Sequence, residues 1–141
     1  MDYANITGAE FGRAMTGISI NLLTRDVRAE AAFLAQVFGC DVPRLTDDDA
    51  IVVHAGMAMQ LHSDASFAAH PLHALLPEAG PRGSGMEIRL HGVDPDAACA
   101  RAAQFDGAMV LAAARDKAGH GLREAVILSP SGYAFVPSVL L

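Results

Sequence analysis

The chain has 141 residues, 52% of them apolar, with a net charge of −6 and two cysteines. Such a length suits one domain with a packed core, and no apolar run approaches the ~20 residues that a membrane-spanning helix needs. The acidic balance without a Lys/Arg cluster excludes a nucleic-acid footprint, and two cysteines cannot build a disulfide framework. A polar N-terminus without a basic-then-apolar leader makes the cytoplasm the expected compartment.

In chain order, Ile18, Ile20 and Leu22 alternate with Ser19 and Asn21, which predicts a strand with one face on a core. Asp26 is a good helix N-cap; Phe33, Leu34, Val37 and Phe38 form the stripe of an amphipathic helix, and Gly39 suits its left-handed end. Val42 opens a second strand. Asp47, Asp48 and Asp49 form a solvated acidic turn, lacking the glycine and terminal glutamate of a calcium loop. Strands are predicted at 50–54 and 57–62, turned at Ala55-Gly56. On parity, Met57, Met59 and Leu61 belong to the core. Residues 63–85 hold Pro71, Pro77 and Pro81 and read as a linker with one helical turn at 72–76. His70 and His73 lie in it without a partner suited to metal binding.

The pattern then begins again. Residues 19–42 lie over 87–110 without a gap: Ile20 on Ile88, Leu22 on Leu90, Asp26 on Asp94, Gln36 on Gln104, Gly39 on Gly107 and Val42 on Val110. In the second copy Glu87, Arg89 and His91 take the polar positions of the first strand, and Pro95 stands at the first helical position after Asp94. Strands follow at 122–128 and 133–138 around a Ser-Pro-Ser-Gly turn, with extra residues expected around 115–121. The sequence therefore predicts an α+β chain of two tandem βαβββ modules, 18–62 and 86–138, forming one domain. Strand parity puts Ser19, Asn21, Gln60, His62, Glu87, Arg89 and His91 on the faces away from the helices. Arg123 and Glu124 have opposite parity, so only one of them shares that face.

Two βαβββ copies in a chain of this length resemble the vicinal-oxygen-chelate superfamily of glyoxalases, bleomycin-resistance proteins and extradiol dioxygenases. The most specific stretch runs from His120-Gly121-Leu122-Arg123-Glu124 to Ser129-Pro130-Ser131-Gly132-Tyr133, similar to that family's last hairpin. The resemblance implies a half-open, curved mixed sheet with helices outside, a concave ligand cleft and a homodimer. In metal-dependent members it implies ligands at the positions of Ser19, Gln60, Glu87 and Val136. Valine donates nothing and serine little, so these four are too few donors for a catalytic ion, and neither metal nor cofactor is expected. The expected function is binding of a small organic ligand by Ser19, Asn21, Gln60, His62, Glu87, Arg89, His91 and Arg123, with Glu87 as the candidate catalytic base. The rival readings are a metal-dependent lyase, isomerase or dioxygenase using an offset set such as His62, Glu87 and His91, and a drug-sequestering resistance protein.

Overall fold

The computed structural model describes residues 1–141. Module 1 comprises β1 (Ile20–Thr24), a helix (Val27–Phe38), β2 (Asp41–Leu45), β3 (Asp49–His54) and β4 (Met57–Ser63). A short helix, Gly8–Ala14, precedes it. We call these helices α2 and α1 in chain order. Module 2 comprises β5 (Glu87–His91), α3 (Pro95–Ala102), β6 (Met109–Lys117), β7 (Leu122–Leu128) and β8 (Ala134–Leu140).

The helix signals act as the residue types dictate. The Asp26 carboxylate accepts from the Ala29 N–H, and the Asp94 carboxylate from the Asp96 and Ala97 N–H groups, so each satisfies donors that a first turn leaves open. Gly39 ends α2 at φ 73°, a conformation that side-chain-bearing residues adopt at a cost. Three differences from the sequence expectation stand out. Helix α1 was not foreseen; Thr7 and Glu10 form a reciprocal capping box that starts it. Strand β1 begins at Ile20, leaving Ile18 and Ser19 exposed before it. The extra residues near 115 lengthen β6 to nine residues with register shifts, and only Ala118–His120 form a 3-10 turn.

Each module makes one four-stranded mixed sheet, ordered β1-β4-β3-β2 and β5-β8-β7-β6, and the two do not join into a closed barrel. In both, the first strand runs parallel to the last, the geometry a crossover helix permits. Helix α2 packs on sheet 1, α3 on sheet 2, and the helices touch each other. One cluster of 20 buried residues unites Leu22, Ala50, Val52 and Leu61 of sheet 1 with Ile88, Leu90, Ile127 and Phe135 of sheet 2. The Phe33 ring on α2 is its centre, 5.2 Å from Phe38, 5.6 Å from Phe105 and 5.9 Å from Phe135. Both sheets turn their helix-covered faces into this core, so their open faces look away from it. Burying side chains of this size contributes ~1.5–3 kcal/mol each, which makes the joint core the main tie between the modules.

A polar junction adds to it. Tyr133 Oη donates to the Leu23 carbonyl at 2.8 Å, and the Ser131 N–H donates to Glu30 Oε2 at 3.1 Å. The linker residue Arg82, its side chain 3% exposed, binds Asp64 and the Leu23 carbonyl. Pro81 lies so close to the β7–β8 turn that a Cβ on Gly132 would stand 2.4 Å from its Cα. Only glycine fits there, where φ is also +80°.

Candidate functional site

The open faces of the two sheets carry the polar residues singled out in the sequence, and they differ. On sheet 1, Asn21 pairs with Gln60, Gln60 with Ile51, and His62 with Leu23 and Asp49. The chain covers part of this face itself, while Asn21 stays exposed. Arg44, paired with Ile51, donates from Nη1 to the Ile6 carbonyl at 3.0 Å. Tyr3 lines a depression with Val53, and its ring meets Phe11 edge-on at 5.9 Å. Phe11 is buried, as are Leu23 and Ile51, yet all three stand outside the main core. From the other end, the linker ring of Phe67 stacks on His62 at 4.8 Å and on His70 at 5.0 Å. Burial pushes the His62 imidazole below its ordinary pKa, against the pull of Asp49.

Sheet 2 carries a denser set of charged side chains on its open face. Glu87, Arg89 and His91 on β5 pair with Ala134, Val136 and Ser138 on β8. Glu124, on β7, pairs with Ser138 and is buried. Arg89 bridges two carboxylates, binding Glu87 Oε2 at 3.0 Å and Glu124 through a short contact. That contact with Glu124 foremost raises the Arg89 pKa above its ordinary value, so the guanidinium stays charged. Lys117 Nζ lies 4.0 Å from the other Glu124 oxygen. His91 Nδ1 and Ser138 Oγ are 2.9 Å apart, which fixes the imidazole plane. Beside this ladder lies an open groove of about 540 Å³. Its floor is Leu111, Val126, Leu128 and Ala134; the linker residues Pro81, Gly83 and Met86 wall one side, and Glu87 stands at the rim.

The structure settles the choice between Arg123 and Glu124. Glu124 shares the open face; Arg123 is on the helix side, bound to Asp96 of α3 at 2.6 Å and to Asp116 at 2.8 Å. The expectation that Arg123 lines the cleft is thereby corrected, because alternation along β7 gives that face to its neighbour. His62 and Glu87 lie in different sheets, and with His91 they do not gather into a group that could hold a metal. Ser19 precedes β1 and has no ladder partner. Met57, expected in the core, is 68% exposed at the end of β4. With Met59, Ile18 and Ile20 it lines a second, apolar cavity of about 180 Å³ between the modules, where His54 Nε2 lies 2.9 Å from the His91 carbonyl.

The positions where this fold places metal ligands fit an ion poorly. Val136 is fully buried beside Arg89, the Glu87 carboxylate is engaged by Arg89, and Gln60 lies on the other sheet beside Asn21. No group of three or more His, Cys, Asp or Glu side chains is gathered so as to hold a metal. Sequence reasoning did not single out Arg115, Lys117 or the groove floor. Their period-two alternation is legible only once β6 is known to run through the residues that read as an insertion.

No family model matches the sequence, and no curated protein matches it. Solved structures do share the fold. A glyoxalase-related enzyme from Fulvimarina pelagi aligns at 15% identity over 89% of this chain and 88% of its own, with a TM-score of 0.68. A glyoxalase/bleomycin resistance protein/dioxygenase family enzyme from Burkholderia phytofirmans PsJN aligns at 20% identity over 87% and 97%, with a TM-score of 0.66. A glyoxalase/bleomycin resistance protein from Albidiferax ferrireducens T118 aligns at 12% identity over 89% and 98%, with a TM-score of 0.65. The chain thus has the α+β, two-module fold of the glyoxalase/bleomycin-resistance type, as the resemblance of its last hairpin implied. At these identities the likeness is one of fold, and activity has to be argued from the site.

Proposed function

We propose that this protein binds a small organic molecule in the groove on the open face of sheet 2, without a bound metal. The observation that carries the reading is the pairing of an apolar floor with the Glu87–Arg89–Glu124 ladder at its side. Ligand sites combine these features, burying an apolar body while a few fixed polar groups orient it. Glu87 and Arg89 orient the ligand, and His91, held by Ser138, supplies a further ring nitrogen. Asn21, Gln60 and His62 stand on sheet 1, outside this groove, and do not touch the ligand in this reading. The working form is a homodimer: the outer edges of β1 and β5 have no strand partner, and exposed Ile18 and Met57 flank the apolar cavity between them. The compartment of this reading is the cytoplasm, where the free thiols Cys40 and Cys99 stay reduced.

The test is metal analysis of untagged protein before and after incubation with Zn²⁺, Mn²⁺, Ni²⁺ and Fe²⁺, followed by a thermal-shift screen of organic ligands. The expected result is no retained stoichiometric ion and a stabilising organic ligand whose effect is lost in Leu128→Glu. A stoichiometric metal that disappears in Glu87→Ala overturns the metal-free reading and favours lyase or dioxygenase chemistry.

A further inference from the structure

The charges on the open face of sheet 2 carry the choice of ligand further, taking the groove as the ligand site. The chain as a whole is acidic, at −6. This face runs against that balance. It presents Arg89, Arg115 and Lys117 against two carboxylates, Glu87 and Glu124. Arg115 belongs to the face because it pairs with Glu124 across β6 and β7, whereas its neighbour Asp116 pairs with Arg123 on the helix side.

Arg89 binds both carboxylates and offsets one of their two charges, and Lys117 beside Glu124 offsets the other. Arg115 is then the cation in excess. It is exposed and takes part in none of the ion pairs around it. Arg115 also stands at a useful distance. Its partner Glu124 is two residues along β7 from Val126 in the groove floor, a step of about 7 Å on the same face. A molecule with its apolar body on Leu111, Val126 and Leu128 therefore ends at Arg115. A guanidinium with free N–H groups beside an apolar floor matches a carboxylate, which it binds in a forked, charge-assisted geometry.

We infer that the ligand is an amphipathic organic anion, its apolar part in the groove and its carboxylate on Arg115. Glu87, at the far rim and tied to Arg89, does not oppose it. Octanoate, 1-octanol and octylamine serve as probes of equal chain length and different charge, titrated calorimetrically into the full chain. The inference expects octanoate to bind ~10-fold or more tighter than octanol, the scale of one charge-assisted hydrogen bond, and octylamine weakest. Arg115→Gln should erase the preference for octanoate while leaving octanol binding unchanged. Leu111→Ser should weaken both, and Arg28→Gln, on a distant helix surface, neither. Equal binding of octanoate and octanol, unaffected by Arg115→Gln but lost in Leu111→Ser, overturns the anion and leaves the groove. Tightest binding of octylamine likewise overturns the anion. No binding of any probe overturns the anion and the groove reading together.

Discussion

Modules 1 and 2 share a strand order, a crossover and an aspartate N-cap on their helices, yet their open faces differ. In module 1, α2 is twelve residues long and brings Phe33 and Phe38 to the core, and the N-terminal segment and Phe67 pack on parts of the open face. In module 2, α3 is eight residues long and buries only Pro95 and two alanines, and the open face keeps a groove and an ion-pair ladder. Repetition of the backbone thus constrains the core faces alike and leaves the open faces free to diverge. One copy packs part of its face against its own chain, and the other keeps a groove there.

The largest effect that sharpens this contrast belongs to the shared core. Phe33→Ala should cost ~4 kcal/mol in urea unfolding, in a single transition, because its ring touches Phe38 in its own module and Phe105 and Phe135 in the other. Two separate transitions would show that the modules fold independently. Phe11→Ala should cost less, ~2 kcal/mol, since α1 lies outside that core. Hydrogen exchange should then rise at Ile51 and Val53 while Val126 and Leu128 stay protected. Equal loosening of both sheets would contradict the separate roles given to the two faces.

Between the modules, Glu30 makes a pH-dependent contribution. Burial is the main cause that raises its carboxyl above the ordinary 4.5; the hydrogen bonds from Ser129 and Ser131 and the charge of Arg82 pull it back only in part. Its Oε1 has no partner. A folded-state pKa above the unfolded one means that the folded chain holds this proton more tightly. The stabilisation is then complete below about 4.5 and is lost as pH rises through the folded value, at up to ~1.4 kcal/mol per pH unit. In Glu30→Gln that slope should vanish from the stability profile. An unchanged slope would show that the carboxyl is not the source. The smallest effect is expected at Arg28, whose ion pair with Asp47 is exposed on both sides. Arg28→Ala should change stability by no more than ~0.5 kcal/mol in the same unfolding assay. A larger loss would mean that the α2 surface does more than face solvent.

Most of the fold was legible in the sequence because its signals are local. Asp26 and Asp94 cap helices, Gly39 ends one, and the alternation at Ile20–Leu22 and Ile88–Leu90 fixes which side of β1 and β5 meets the core. The repeat makes each copy a template for the other. Helix α1 escaped because its single buried residue, Phe11, gives no periodic stripe, and its place depends on Arg44 and Tyr3, far apart in the chain. The site was half legible. Parity gave Glu87, Arg89 and His91, but the choice between Arg123 and Glu124 depends on how β7 registers with β6 and β8. Arg115 and Lys117 were hidden because a lengthened, bulged strand looks like a loop insertion until its partners are known. The difference between the two open faces follows from the linker and N-terminal segment, whose paths no local pattern states.

The most direct test of that asymmetry is an NMR titration of isotope-labelled protein with octanoate. The account predicts shifts at Leu111, Val126, Leu128 and Ala134, with those of Asn21, Gln60 and His62 unmoved. Shifts centred on Asn21, Gln60 and His62, or none anywhere, would contradict it.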